Sequence, residues 1–321
     1  MGLLSRAGFL GIYLLGVSNA FANCGSAFCS INTNNETQFD SITSGLSVNA
    51  RSEFVDLDQP RQGTTKVGAR GEPGGHDELE TTNQNFVLGL EYVSNSRWRA
   101  GLQIPFLKRY HAHIHNPNEV EIAAGEAAER EEWNLSGLGD IYATGGYEWE
   151  LGSVTIGGHG GLKLPTGVYR ATNDAGEEAE RTLQLGTGST DVLASLFAKG
   201  KIGDGPVRWF VQTQWQHAIA SKDRFRPGDE ITFDVGIRYL LSDSFSANLQ
   251  LNTRYKRRDS GDNSESDESG GKYIYLSPGV SYIPWPGVQI YGFIQVPMSQ
   301  NVNGVQLTPS KSIVAGVSYR F

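Results

Sequence analysis

The sequence is poor in several things that would point to familiar soluble or helical-membrane classes. Only 2 of its 321 residues are cysteine and 2 are methionine. Beyond the first twenty-odd residues, no apolar run approaches the ~18–20 residues a membrane-spanning helix requires, so a helical membrane protein is excluded. Positive charge is scarce: 27 Lys and Arg face 35 Asp and Glu, a net charge of −8. That balance argues against a nucleic-acid partner. No Gly-x-Ser-x-Gly elbow occurs, none of the 6 histidines opens a His-x-Ser-Asn-Gly stretch, and no Gly-rich nucleotide loop is present. No cofactor is implied and no catalytic residue is identified. What the chain has is glycine, 40 residues of it, and aromatics, with 6 Trp, 13 Tyr and 14 Phe. So many aromatics are incompatible with disorder and fit a β-rich fold.

Residues 1–22 read as a cleavable signal peptide. Arg6 supplies the positive start, Ala7 to Val17 the short apolar stretch, and Ala20-Phe21-Ala22 the small-x-small cleavage site. The expected mature chain begins at Asn23. Cys24 and Cys29 follow in Cys-Gly-Ser-Ala-Phe-Cys, with no His or further Cys nearby. In an exported protein this pair reads as a local disulfide. Asn23 before Cys24 argues against lipid attachment, which wants a small residue there. Residues 23–43, rich in Asn, Thr and Ser, are expected to form a periplasmic or plug segment, and 44–321 the main domain.

From residue 44 the dominant signal is period-2 alternation. Phe245, Ala247, Leu249, Leu251 and Tyr255 oppose Ser246, Asn248, Gln250, Asn252 and Arg254; Ile231, Phe233, Val235, Ile237 and Tyr239 repeat the pattern. About twelve such segments of roughly ten residues occur, the span of a tilted transmembrane strand. Short links (near 94–96, 150–153, 202–206, 242–244 and 284–287) alternate with long polar ones (61–80, 111–136, 166–181, 219–228, 257–271 and 299–306). This predicts an all-β, antiparallel up-and-down transmembrane barrel with short periplasmic turns and long extracellular loops. The competing architecture is a secreted β-sandwich, which gives no reason for the alternation. Trp98, Trp149, Trp209, Tyr239, Tyr255 and Tyr282 fall towards strand ends, as an interfacial girdle requires. The ending Gly316, Tyr319, Phe321 resembles the C-terminal signal by which the barrel-assembly machinery recognises outer-membrane proteins, although Val314 stands where a polar residue is usual. Outer-membrane lipid and lipopolysaccharide are the implied surroundings, and the expected location is the outer membrane of a Gram-negative cell.

If the apolar phase faces lipid, the opposite phase lines a lumen. It collects Arg51, Arg97, Arg99, Lys163, Arg208, Arg238 and Arg254, with Gln212, Gln214, Gln250 and Asn252. These cations either select anionic solutes or pair with lumenal Glu53, Glu91 and Asp234, and pairing is the simpler reading. Phe210, Tyr273, Tyr275, Tyr291 and Phe293 share the lumenal phase. They form either a path for aromatic solutes or the filling of a narrow barrel. His111, His113 and His115 alternate where the third strand enters an acidic loop (Glu119, Glu121, Glu126, Glu129, Glu131 and Glu132). Steps of about 7 Å along an extended strand favour a solvated loop base over a metal site, and no fixed spacing supports calcium on the glutamates.

Three motifs in the middle of the chain carry a resemblance. Gly137-Leu138-Gly139-Asp140 opens one strand, Gly161-Leu162-Lys163-Leu164-Pro165-Thr166-Gly167 ends the next, and Leu185-Gly186-Thr187-Gly188-Ser189-Thr190-Asp191 precedes a third. Residues 137–200 resemble the bacterial outer-membrane barrel family of transporters labelled for the meta-pathway of phenol degradation. The resemblance implies a channel for passive movement of small solutes, aromatic compounds among them, and transfers no catalytic residue. An interaction or sheath protein acting through its loops is the alternative function, with an outer-membrane hydrolase behind it.

Overall fold

The structure, a computed structural model, describes residues 23–24, 31–33 and 44–321. The expected signal peptide lies outside the described residues, as does Cys29, so the expected disulfide falls there too.

Besides the two-residue strand Thr65–Lys66, which folds back on the first strand, twelve strand segments follow residue 44: Gly45–Gly63 (β1), His76–Val93 (β2), Trp98–His115 (β3), Glu129–Leu138 (β4), Ile141–Leu151 (β5), Val154–Leu164 (β6), Thr190–Lys201 (β7), Val207–Ala220 (β8), Glu230–Leu240 (β9), Phe245–Lys256 (β10), Gly271–Tyr282 (β11) and Val288–Arg320 (β12). Each pairs antiparallel with its neighbour. β4 and β5 lie in line along β3, separated only by Gly139 and Asp140. β12 is itself a hairpin: Arg320 N donates to Gly287 O at 2.8 Å, so its ends meet. Its first arm pairs with β11 and its second with β1. Twelve strand passes therefore close a barrel, and Phe321 N to Leu46 O at 2.9 Å seals the seam.

The two faces of the wall differ as the alternation requires. Leu249, Val235, Ile237, Leu251, Val280 and Ile290 point outward and are exposed, whereas Gln250, Asn252 and Ser277 are buried inside. Such a continuous apolar exterior is stable only against lipid. At the short-turn rim, aromatics pack edge to face, Trp98 on Tyr147 at 4.9 Å and Tyr147 on Trp149 at 4.8 Å. The interior is polar. Ser277 Oγ donates to Asn252 Oδ1 at 2.7 Å, and Asn252 Nδ2 to Asp234 Oδ1 at 2.9 Å.

The connections correct the sequence reading at two places. Segment 299–306 is not a long loop but a tight reversal with Gly304 at φ 57°, because both arms of β12 continue with hydrogen-bonded polar residues. The stretch 111–136 is mostly sheet: β3 runs on to His115 and pairs with β4. Between them lies only the short helix Glu119–Ala123 (α1), capped by Asn118 and Glu121.

Candidate functional site

The three glycine-rich motifs converge at the outer mouth. Asp140, in the break between β4 and β5, accepts hydrogen bonds from Gly167 N at 3.1 Å, Thr187 N at 2.9 Å and Thr187 Oγ1 at 2.9 Å. Lys163 Nζ stands 2.7 Å from Asp191 Oδ2 and 3.6 Å from Asp140 Oδ2, and donates to Thr187 Oγ1 and Ser189 Oγ. The backbones cross here without room for side chains. A Cβ on Gly167 would stand 2.7 Å from Gly186 Cα, which is why glycine occupies both crossing positions. This knot folds segment 165–189 back over the mouth, where Leu183 and Leu185 pack on Leu107, Trp133 and Leu135.

Beneath it lies a lumenal cavity of about 380 Å³, and a second of about 100 Å³ sits nearer the short-turn end. Thr33 borders both, beside Ile31 and Asn32. Asn32 is held by the wall: its N donates to Gln250 Oε1 at 3.0 Å, its Nδ2 to Gln212 Oε1 at 2.5 Å, and its carbonyl accepts from Gln250 Nε2 at 2.9 Å. Ile31 packs against Tyr291, Phe293 and Val314.

The sequence-derived lumenal residues divide by position. Arg51, Lys163 and Arg254 line the larger cavity, each ion-paired: Arg51 with Glu53 at 2.8 Å, Arg254 with Glu230 at 2.7 Å. Arg99 lies lower, buried against Glu91 and Glu148. Arg208 and Arg238 are direct cross-strand neighbours near the short-turn end and do not line the larger cavity; Arg208 Nη1 donates to Gly205 O at 2.8 Å. Arg97 is outside the lumen altogether. It occupies a turn with φ 69°, is half-buried at the rim, and pairs with Glu150 at 2.7 Å, because the strand phase begins only at Trp98. The aromatics are buried as packing: Phe210 over Gly236, Phe293 over Gly279, Tyr275 parallel to Tyr273, and Tyr291 hydrogen-bonded to Asn49 at 3.0 Å.

Sequence reasoning missed Arg109 and Arg181. Arg109 is buried, donating to Asn83 Oδ1 at 2.6 Å and Thr182 O at 2.9 Å. Extending the inward phase of β3 past Phe106 would have found it. Arg181 lies between the Tyr169 and Phe225 rings, 5.0 and 4.8 Å from their centres. Only the fold of 165–189 places it there.

The histidines give the largest correction. His111 and His113 are not a solvated loop base: their relative exposures are 0% and 2%. Because β2 starts at His76, residues expected in a loop stand opposite them. His76 stacks on His113 at 4.3 Å and 10°, and Glu78 is buried beside His111, Oε2 to Nε2 3.7 Å. Trp133 covers both rings. His115 is partly exposed, 3.5 Å from Glu121. Burial pushes the His113 imidazole down to about 3 and His111 well below its usual value, so both are neutral. Burial and neighbouring carboxylates push the carboxyl groups up: Glu78 and Glu265 well above the usual range, Glu180 to about 8, Glu268 to about 7.

The fold is similar to that of the COG4313 outer membrane channel from Pseudomonas putida F1, with 14% identity, TM-score 0.63, and coverage of 91% of this chain and 100% of that one. Looser likenesses include the Ralstonia pickettii toluene transporter TbuX (10% identity, TM-score 0.46, 95% and 96% covered) and a Pseudomonas aeruginosa FadL homologue (10%, 0.45, 86% and 90%). No family profile matches the chain, and no curated protein does. What the likeness establishes is the architecture, an antiparallel barrel of the outer-membrane type.

Proposed function

We propose that this protein is a channel or transporter of the Gram-negative outer membrane, passing small solutes, aromatic compounds or their acids among them, down a gradient. The observation that supports it most is a lipid-facing barrel enclosing a cavity of about 380 Å³ with a wall of hydrogen-bonding and paired charged groups. Apolar Ile31, Leu185 and Phe225 on the same wall suit the flat face of an aromatic ring, and the polar groups suit its substituents. The motif resemblance to the phenol-pathway transporters supports the same solute class. In this reading residues 1–22 direct export, the C-terminal strand ending in Phe321 engages the assembly machinery, and residues 23–43 act as a plug. Asn32, held by Gln212 and Gln250 inside the barrel at the wall of the larger cavity, supports the plug.

Single-channel conductance of the refolded chain from Asn23 tests this in a planar bilayer, with anion and cation permeabilities compared. The intact chain should pass small, interrupted currents of weak selectivity, because the lumenal cations are paired. Deleting 23–43 should give larger, steady currents. Unchanged currents would remove the plug. Silence from both folded forms would remove the channel and favour a protein that binds a partner through its loops.

A further inference from the structure

We propose that Glu78, His111 and His113 form a binding site for one divalent transition-metal ion, zinc fitting best, in the outer extension of the barrel wall. The site stands apart from the lumenal path and does not depend on the channel reading.

His111 Nε2 lies 3.2 Å from His113 Nδ1 and 3.7 Å from Glu78 Oε2, and one ligand atom from each of the three lies within 4.8 Å of the others. Zinc bonds of about 2.0–2.1 Å to nitrogen and oxygen set the edge of a tetrahedron near 3.4 Å. The observed separations bracket that edge, leaving one corner for water.

The outer nitrogens are held as metal-bound imidazoles are. His111 Nδ1 is 2.8 Å from Thr81 Oγ1, and His113 Nε2 is 2.9 Å from Glu131 Oε2. An N–H directed at each oxygen fixes the tautomer and turns the lone pairs of His111 Nε2 and His113 Nδ1 towards each other. A cation between them resolves that confrontation.

Glu78 supplies the second, independent observation. Its side chain is 0% exposed, yet neither carboxylate oxygen accepts a hydrogen bond. Without an ion, a chain of hydrogen bonds from Thr81 through His111 and His113 to Glu131 satisfies the imidazoles and still leaves Glu78 with no donor. Buried carboxylates are ordinarily hydrogen-bonded, paired or bound to a cation. Two imidazoles and one carboxylate select zinc or a neighbouring transition ion over calcium or magnesium, which prefer all-oxygen shells. Glu180, Glu265 and Glu268 act electrostatically on Glu78, and they come from the segments 165–189 and 257–270. An ion at Glu78 therefore reduces the repulsion among carboxylates that three separate segments bring to the mouth.

Cobalt(II) chloride, titrated into the chelator-treated full mature chain in detergent, tests the site. The expected result is one cobalt per chain, with visible bands of low-symmetry coordination that zinc chloride abolishes and a raised thermal unfolding midpoint. Glu78→Gln and His113→Gln should lose stoichiometric binding. Thr81→Val and Glu131→Gln should weaken it by roughly 10–100-fold. His217→Asn, in a histidine–aspartate pair elsewhere, should change nothing. Heat-dependent gel mobility reports whether each variant is folded. Should the ligand variants fail to fold, the two outer-partner variants decide alone. No stoichiometric binding by the wild type, binding unchanged in every folded variant, or equal loss in His217→Asn overturns the proposal.

Discussion

Two buried polar centres stand at the outer mouth, one around Asp140 and one around Glu78, and they are built to opposite rules. Around Asp140 the donors come to the carboxylate: two backbone N–H groups, a hydroxyl and a lysine. Around Glu78 no donor comes, and the neighbours are neutral imidazoles and more carboxyl groups. A satisfied charge in a dry place serves as a fastener, whereas a buried carboxyl group with no donor adds no such hold and is the group to which the proposed ion would bind. The first centre therefore reads as architecture and the second as recognition.

The sharpest way to break this contrast is Asp140→Ala. It strands the amides of Gly167 and Thr187 and removes one partner of Lys163, so it should cost about 3 kcal/mol or more, read as a lower urea midpoint for loss of the heat-modifiable band. A loss below about 1 kcal/mol would mean the centre is no fastener. Gly167→Ala comes next. Its Cβ would meet Gly186 Cα at 2.7 Å, and overpacking of that kind costs about 1–3 kcal/mol. The same denaturation series checks it.

Glu78→Gln should go the other way. In chelator it removes a buried carboxylate that has no donor, so stability should hold or rise by about 1 kcal/mol, while Asp140→Asn should lose stability in the same assay. Equal losses at both positions would erase the distinction. The remaining effect is one of pH, again in chelator. Burial holds the Glu180 proton up to about 8, against an ordinary value of 4.5, and the Glu268 proton up to about 7. The docked state binds these protons more tightly than the undocked one. Docking of 165–189 and 257–270 is therefore strongest below pH 4.5 and weakens as pH rises through 7 and then 8. Hydrogen exchange of these segments, corrected for intrinsic rate, should show less protection at pH 9 than at pH 6; a flat profile would contradict it.

Much of the wall was legible because lipid imposes a strict contrast. Leu249 and Val235 face out and Gln250 faces in, as their alternation says. Where the strands leave the membrane that contrast disappears. Lys108, Tyr110 and Ala112 alternate with Arg109, His111 and His113, so polar residues occupy both phases and the extension of β3 looks like loop. The histidine centre was illegible for a second reason: its other members, His76 and Glu78, come from a stretch whose register with β3 only the sheet defines. The Asp140 centre was half legible. Its glycine motifs announced turns, but their meeting at one carboxylate is a property of the fold.

The seam of the barrel has a consequence for how the molecule comes into being. Arg320 Nε reaches Ser47 Oγ across 273 residues of sequence, so the cylinder closes only once its final strand has arrived. Such a non-local pairing is slow and late among folding events. Asn32, bound to β8 and β10 from within, has two routes to its place: passage through a finished pore, or capture while the sheet is still an open trough. The second avoids drawing a polar chain through a narrow ring of paired charges. By that route the wall wraps around its contents, and the pairing of the first strand with the last seals them in.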